Sequence, residues 1–239
     1  MNSPTMENPT ASQDSIEALK TALQTSPPPK QLPLIQTLIT TGEPGYSVLM
    51  DFLSTGAPPT VALGRAYQYL YGVADEGVKT FLAERFPQGI LPISADCQGD
   101  YGELQTLLAE QDFETADRLT LQLLCALAGP GAIKRKWLYF TEVSQLSVID
   151  LQTLDLLWQI YSEGKFGFVQ QRQVWLGVGR NWERLWPKIA WKKDNIWTRY
   201  PGEFIWNLNA PVGHLPLSNQ LRGVRVMEAL LNHPAWING

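Results

Sequence analysis

Apolar side chains recur at helical spacing in short runs along residues 14–85, and proline or glycine separates each run from the next. The first run holds Ile16, Leu19 and Leu23 and stops before three consecutive prolines. Four later runs fall near residues 34–39, 48–53, 61–71 and 78–86. Side chains three and four positions apart share one face of a helix. The pattern therefore predicts a small helical bundle or a HEAT-like stack over residues 13–87.

Two stretches beside this region show no hydrophobic period. Residues 1–12 are polar and hold no basic side chain, so they lack the features of a signal or transit peptide and are predicted to be a disordered tail. Residues 88–98 contain proline and glycine without any period and are predicted to be a linker. Residues 99–239 are then predicted to form a second domain.

Helical spacing returns after residue 100, and turn residues predict where helices begin. Asp112 is a candidate N-cap for a helix with an inward-facing apolar stripe, namely Phe113, Ala116, Leu119, Leu123 and Leu127. Asp150 is a second candidate cap, and the last helix is predicted from Ser218 to about Asn232. Residues 169–175 fit either a strand or a helix. The predicted fold class is all-α in two domains.

The longest stretch without a regular pattern, residues 187–217, is rich in large aromatic side chains, namely Trp191, Trp197, Tyr200, Phe204 and Trp206. Loops of this length inside a compact domain are usually functional or disordered, and disordered segments are poor in aromatic residues. Two interpretations remain open. The rings could fill the core of a loop-rich domain, which is an even alternative for Trp191 and Trp206, or they could form a half-exposed floor for a flat ligand.

Charge and tryptophan are unevenly distributed along the chain. Residues 1–129 carry a net charge of −9 and residues 130–239 a net charge of +5, which together give −4. All nine tryptophans lie in the second part, between Trp137 and Trp236. An acidic first part and a basic, tryptophan-rich second part indicate separate roles, with an anionic partner for the second.

The sequence around residues 218–231 places polar and basic side chains at helical spacing. Asn219, Arg222 and Arg225 fall at i, i+3 and i+6 on one side of a helix that begins near Ser218. The simplest interpretation is a solvated basic face. The alternative is a clamp for carboxylate or phosphate, because guanidinium groups present fork-shaped donors to such anions.

Other kinds of chemistry have weaker support. Lys134, Arg135 and Lys136 precede several aromatic residues, a combination that also suits single-stranded nucleic acid, but the chain is acidic and shows no RNA-binding signature. His214 and His233 are the only histidines and show no metal-ligand spacing. No phosphate-binding loop or nucleophile motif occurs. The two cysteines are predicted to be reduced thiols. No run of about 18 apolar residues occurs, so no membrane span is predicted. We therefore expect a cytoplasmic protein.

Several motifs after residue 99 occur together and in order, among them DLQTLDLLWQIYSEGKFGF and GHLPLSNQLRGVRV. With GPGAIKRKWLYFTEV and LWPKIAWKK, they closely resemble the genomes-uncoupled-four family of tetrapyrrole-binding regulators of magnesium chelatase. The resemblance covers about residues 99–236. The helical region before residue 87 is similar to the extra N-terminal domain of cyanobacterial members.

The resemblance implies an all-helical "cupped hand" domain that binds protoporphyrin IX and Mg-protoporphyrin IX. Such a protein stimulates magnesium insertion together with the large porphyrin-binding subunit of the chelatase and has no catalytic activity of its own. It is expected to be a monomer, with a peripheral thylakoid association left open. The resemblance implies these site residues: Phe140, Val143, Tyr200, Phe204, Asn219, Arg222 and Arg225. The alternative is a protein-docking regulatory module for which porphyrin binding is incidental.

Overall fold

The computed structural model describes residues 13–56, 58–217 and 224–236, and within them the predicted all-α fold is confirmed. The first five helices are α1 Gln13–Thr25, α2 Pro28–Thr40, α3 Glu43–Leu53, α4 Val61–Tyr71 and α5 Glu76–Arg85. The next five are α6 Gly102–Ala109, α7 Phe113–Ala128, α8 Pro130–Arg135, α9 Phe140–Val143 and α10 Val148–Ile160. The remaining helices are α11 Phe168–Gly177, α12 Trp182–Lys188 and α13 Arg225–Leu231, followed by a 3₁₀ turn at Pro234–Trp236.

The first five helices follow the five hydrophobic runs of the sequence, and polar side chains fix where two of them begin. The Thr60 hydroxyl accepts the Leu63 N–H at 3.2 Å at the start of α4. The Asp75 carboxylate accepts the Val78 N–H at 2.8 Å at the start of α5. Each side chain satisfies a backbone donor that has no partner inside its helix. Helices α1 to α4 pack against one another as a small layered group.

Helix α4 joins the N-terminal helices to the rest of the chain, because it packs against α6 and α10. At Gly64 the two backbones approach so closely that any Cβ would overlap the carbonyl oxygen of Ile160. Beside this contact, the buried Gln68 amide donates to the carbonyl oxygens of Leu108 at 2.9 Å and Tyr161 at 2.7 Å. One hydrophobic core therefore runs through both groups of helices, and the division into domains at residues 13–87 and 99–239 stays a prediction.

Helix α7 begins as predicted, with the Asp112 carboxylate accepting the Thr115 N–H at 3.1 Å. The predicted inward stripe is correct for Phe113 and Ala116, but the leucines at 119, 123 and 127 are only half-buried. The fully buried side chains further along are Asp117, Thr120, Leu124 and Cys125. The buried face is rotated because α7 packs against Trp158, whose indole N–H donates to Thr120 Oγ1 at 3.0 Å.

The predicted N-cap role of Asp150 is wrong. Ser147 caps α10, and its hydroxyl accepts the Asp150 N–H at 3.4 Å. The Asp150 carboxylate points instead to the segment before α6, where it accepts the Gln98 and Gly99 N–H groups, both at 3.0 Å, and the Tyr101 hydroxyl at 2.5 Å. A side chain that reads as a local cap in the sequence thus fixes the predicted linker to α10.

The aromatic stretch contains one small regular element that the sequence analysis missed. Strands β1 Lys192–Lys193 and β2 Ile196–Trp197 form an antiparallel hairpin. Its two turn residues, Asp194 and Asn195, both have positive φ angles, of 49° and 63°, as a two-residue hairpin turn requires. Elsewhere the ambiguous residues 169–175 lie in helix α11. No helix in the described ranges is long and apolar enough to cross a membrane.

Candidate ligand-binding site

Three aromatic side chains of the stretch after the hairpin pack into one cluster. The ring centroids of Tyr200 and Phe204 are 5.9 Å apart, those of Tyr200 and Trp206 are 5.8 Å apart, and those of Phe204 and Trp206 are 5.8 Å apart. Tyr200 is 41% exposed, whereas Phe204 beneath it is only 6% exposed. The cluster therefore presents the ring of Tyr200 to solvent on a base of packed aromatic groups.

The buried His214 holds this segment in place through both ring nitrogens. Nδ1 lies 2.6 Å from the Ile189 carbonyl oxygen, and Nε2 accepts the Ile205 N–H at 3.1 Å. A carbonyl oxygen can only accept, so Nδ1 carries the proton and the imidazole is neutral. Burial also lowers the pKa of His214. Its ring packs on Phe204, with centroids 5.1 Å apart, and both nitrogens are used within the fold.

The two interpretations of the tryptophans apply to different residues. Trp191 is fully buried, and its indole N–H donates to the His214 carbonyl oxygen at 2.8 Å. Its ring stacks on Trp186 at 5.8 Å, so Trp191 belongs to the core. Trp206 is half-buried and donates its indole N–H to the Pro201 carbonyl oxygen at 3.0 Å. Within the aromatic cluster, the part that reaches solvent is thus the surface of Tyr200 and Trp206.

Helix α7 contributes a buried carboxylate that the sequence analysis did not single out. Asp117 is 3% exposed and accepts the Leu217 N–H at 2.6 Å. It also accepts the Tyr200 hydroxyl. Desolvation raises the pKa of Asp117 to about 7, although both hydrogen bonds and the nearby Arg118 act to lower it. One carboxylate therefore anchors both ends of the segment that carries the aromatic cluster.

The predicted residues Phe140, Val143 and Arg225 form a second group where helices α9 and α13 pack together. The Arg225 guanidinium carbon lies 5.6 Å from the centroid of the Phe140 ring, a cation–π contact. Phe140 is 44% exposed, whereas Val143 is fully buried. No carboxylate of the described residues forms an ion pair with Arg225. The exposed surface of this group is an aromatic ring under a positive charge.

Helix α8 connects α7 to the second group. It packs against α7, and its Arg135 forms an ion pair with Glu142 of α9 at 2.6 Å and 2.7 Å. The Arg135 guanidinium also covers the rings of Trp137 at 5.3 Å and Tyr139 at 4.2 Å. This guanidinium is held by contacts within the fold, which weakens the earlier case for Lys134–Lys136 as a nucleic-acid contact.

The structure therefore brings the described site candidates together in two groups, one with Tyr200 and Phe204 and one with Phe140, Val143 and Arg225. The candidates Asn219 and Arg222 lie outside the described residues, as does the predicted helix start at Ser218, and α13 is described from Arg225. The ligand-binding roles of all seven residues stay predictions. The missed Asp117 adjoins Ala116 of the predicted inward stripe, but only the rotated buried face of α7 shows that its side chain lies inside the fold.

The described residues contain no candidate metal site. Across the described ranges, no group of three or more histidine, cysteine, aspartate or glutamate side chains could hold a metal ion. His233, the second histidine, accepts the Ala235 N–H at 3.1 Å through Nδ1 and also bonds the Leu146 backbone. Both histidines therefore act as hydrogen-bond partners that fix chain segments.

The chain matches two family models. Residues 94–234 match the GUN4-like family, and residues 8–87 match the ARM-like repeat domain found at the N-terminus of GUN4 proteins. Among curated proteins, a Ycf53-like protein of Synechocystis sp. is 47% identical over 226 residues, which cover 93% of this chain and 97% of that protein. The chloroplastic tetrapyrrole-binding protein of Arabidopsis thaliana is 39% identical over 142 residues, covering 56% of this chain and 54% of that protein.

Two solved structures are similar as well. The structure of GUN4 from Chlamydomonas reinhardtii aligns with a TM-score of 0.58 at 40% identity and covers 62% of this chain and 94% of that one. The ligand-free structure of Arabidopsis thaliana GUN4 aligns with a TM-score of 0.54 at 40% identity and covers 58% of this chain and 98% of that one.

Proposed function

This chain belongs to the GUN4-like family, the family that its motifs resemble, and from this premise we propose that it binds tetrapyrroles. The ligands we propose are protoporphyrin IX and Mg-protoporphyrin IX. A chloroplastic relative carries the name tetrapyrrole-binding protein, which supports a porphyrin ligand in general. One relative comes from Synechocystis sp. and another is a chloroplastic protein of Arabidopsis thaliana, which fits a role in chlorophyll biosynthesis.

The observation that carries this proposal is the half-exposed aromatic cluster of Tyr200, Phe204 and Trp206. Its exposed part would bury apolar surface against a flat macrocycle, at about 25 cal/mol for each Å² removed from water. The buried part is fixed by His214 and Asp117, so little order has to be gained on binding. A preformed aromatic surface of this kind favours a rigid, planar ligand.

The second group supplies the charge that a porphyrin with two propionates needs. Arg225 is exposed, lies over Phe140 and has no acidic partner among the described residues. A guanidinium in this state can form a charge-assisted hydrogen bond with a carboxylate. Arg222, three residues earlier, is proposed to act with it. His214 is an unsuitable axial ligand for magnesium, because both of its ring nitrogens are engaged.

We further propose that the protein is a non-catalytic activator of magnesium chelatase. It would present or accept porphyrin at the aromatic surface while in contact with the large porphyrin-binding subunit. The two polar groups of the aromatic cluster are engaged within the chain, the Tyr200 hydroxyl with Asp117 and the Trp206 indole N–H with the Pro201 carbonyl oxygen. A peripheral contact with an anionic membrane is compatible with the basic C-terminal part.

The proposal is tested by titrating the full chain with a water-soluble dicarboxylic porphyrin and following tryptophan fluorescence. We expect saturable one-to-one quenching. Arg225→Ala should weaken binding about five-fold, because it removes one partly exposed charge pair that contributes about 1 kcal/mol. The matched control is Arg85→Ala, which removes an exposed arginine of α5 that is distant from Arg225 in the sequence. It should leave the affinity unchanged.

The outcomes separate the parts of the proposal. Equal weakening by both arginine variants would show a general charge effect and remove the assigned carboxylate contact. Binding that survives Tyr200→Ala unchanged would remove the aromatic cluster as the porphyrin surface. Absence of saturable quenching in the unmodified chain would refute tetrapyrrole binding itself.

A second candidate function is protein docking, because the hairpin exposes apolar side chains. Ile196 is 68% exposed and Trp197 is 39% exposed, and such exposure on an edge hairpin is costly unless a partner covers it. Ile196→Asp would then reduce stimulation of the chelatase without changing porphyrin affinity. If stimulation instead follows porphyrin affinity across all variants, docking through the hairpin is excluded.

A further inference from the structure

A separate cavity lies where the N-terminal helices α1–α5 meet the rest of the chain. Its volume is about 810 Å³, and α4, α5, α6 and the segment between α5 and α6 line it. No residue of the aromatic stretch from 187 to 217 takes part. The rings of Tyr67, Tyr71, Phe86 and Tyr101 form much of the wall. Ligand sites of small molecules commonly have volumes of about 300–1,000 Å³ and occur at such junctions.

The wall of this cavity is held by buried polar contacts. Gln105 is almost fully buried, and its amide nitrogen donates to the Gln88 carbonyl oxygen at 2.5 Å and the Leu91 carbonyl oxygen at 3.2 Å. Its amide oxygen accepts the Leu91 N–H at 2.8 Å and the Tyr161 hydroxyl at 2.9 Å. At Gly89, where φ is +84°, any Cβ would overlap the Gln105 side chain. The segment is therefore fixed, and the space beside it is preformed.

One tyrosine of the wall lacks the hydrogen bond that its neighbours make. The Tyr101 hydroxyl donates to Asp150 at 2.5 Å, and the Tyr71 hydroxyl bonds Glu110. Tyr67 is only 4% exposed, and no described residue is a hydrogen-bond partner of its hydroxyl. Tyr67 lines the cavity and its hydroxyl is not fully enclosed by the protein, so the hydroxyl is accessible. The hydroxyl can therefore donate to an acceptor that enters the cavity.

The chemistry of the wall defines the kind of acceptor. Burial raises the pKa of Tyr67 to about 12, so its hydroxyl is protonated and can donate. Lys79 also lines the cavity, and its surface pair with Glu76 at 2.8 Å joins two exposed side chains, which makes it weak and easily exchanged. The acid of the lining, Asp100, is engaged by the Gly102 N–H at 3.0 Å. The Tyr67 hydroxyl and the exchangeable Lys79 ammonium are thus the two donors that can meet a ligand, and a carboxylate can accept from both.

We propose that this cavity is a second ligand site, which takes a planar aromatic carboxylate. The ring would lie among the aromatic side chains of Tyr71, Phe86 and Tyr101, and the carboxylate would accept from the Tyr67 hydroxyl and the Lys79 ammonium. The site is independent of the proposed porphyrin surface. Because its ligand would contact both groups of helices, binding would also strengthen their junction.

The test is isothermal titration of the full chain with naphthoate as the probe. We expect saturable one-to-one binding. Tyr67→Phe removes only the hydroxyl and should weaken binding about five-fold, the effect of one hydrogen bond of about 1 kcal/mol. Ala83→Phe, which fills the cavity from an exposed position of α5, should abolish binding. Ala18→Phe, at an exposed position of α1, is the matched control and should bind normally.

Several results would overturn the proposal. These are no saturable binding of naphthoate to the unmodified chain, undiminished binding by Ala83→Phe, or equal affinity of Tyr67→Phe and the unmodified chain. Weakening by Arg225→Ala would place the probe on the other surface and would also overturn it. Because Tyr67→Phe keeps the ring and its packing, it gives a result even if Ala83→Phe disturbs folding. Failure of porphyrin binding leaves this test intact.

Discussion

The buried carboxylate of Asp117 should make the stability of the fold depend on pH in a direction opposite to that of most acids. Burial raises its pKa from an ordinary value of 3.8 to about 7. The folded state then keeps its proton over a pH range in which the unfolded state has already released it. The stabilisation that protonated Asp117 contributes is therefore fully present below the pKa of the unfolded state and is lost as the pH rises to about 7.

The size of the effect follows from the width of that range. A shift of roughly three pKa units corresponds to about 4 kcal/mol, at about 1.4 kcal/mol for each unit. Asp117→Asn removes the titration but keeps an oxygen that can accept from the Leu217 N–H and the Tyr200 hydroxyl. The free energy of unfolding of the variant, relative to that of the unmodified chain, should therefore rise by about 4 kcal/mol as the pH rises from about 4 to about 8.

The assay is urea unfolding followed by tryptophan fluorescence at a series of pH values. Other groups titrate in the same range, including Asp155, whose pKa burial raises to about 6. Their contributions are present in both proteins and cancel in the difference between them. Asp155→Asn is the matched control, because it removes a second buried acid and should show the same sign of effect over a narrower range.

Two results would refute this reasoning. A difference between Asp117→Asn and the unmodified chain that is independent of pH would mean that folding leaves the Asp117 pKa near its ordinary value. A difference that shrinks as the pH rises would mean that the hydrogen bonds from Leu217 and Tyr200 outweigh desolvation and lower the pKa. Tyr200→Phe distinguishes these further, because loss of that donor should raise the pKa and move the transition to higher pH.

Three further predictions concern stability. Gly64→Ala should destabilise the fold by about 1–3 kcal/mol in urea unfolding, since its Cβ would overlap the Ile160 carbonyl oxygen; unchanged stability would contradict the close contact of α4 and α10. Trp191→Phe should cost about 1–3 kcal/mol through the unpaired His214 carbonyl oxygen, and a thermal melting temperature equal to that of the unmodified chain would disprove this. Asp150→Ala should speed limited proteolysis within residues 88–98, because Asp150 binds the Gln98 N–H at the end of that segment, and cleavage at an unchanged rate would argue against that anchor.

Hydrophobic spacing predicted the five N-terminal helices well, because each of them buries one face whose apolar residues lie close together in the sequence. The five N-terminal helices follow five separate runs, and Asp112 caps α7 as its position indicates. Asp150 shows the limit of local patterns. Its position suits an N-cap, yet its carboxylate binds a segment about fifty residues earlier, and sequence spacing cannot distinguish a local backbone partner from a distant one.

The candidate site was harder to predict for the same reason. The aromatic composition of residues 187–217 indicated a functional loop, but burial decides which rings reach a ligand. Trp191 and Phe204 lie inside the fold, while Tyr200 and Phe140 reach solvent. Burial of each ring depends on which distant side chains cover it. Asp117 escaped notice because its partners, Leu217 and Tyr200, are on the loop and its own helix gives no sign of them.

The aromatic stretch can keep a fixed shape without regular structure because buried side chains satisfy its backbone. Asp117 accepts the Leu217 N–H, His214 accepts the Ile205 N–H, and the Gln171 amide donates to the Pro216 carbonyl oxygen at 2.6 Å. These contacts replace the ladder that a helix or strand would provide. Burying these polar side chains costs free energy, and their hydrogen bonds offset that cost only if the loop keeps one conformation. The exposed ring of Tyr200 and the half-buried ring of Trp206 are therefore held on a rigid base, as a surface for a planar ligand requires.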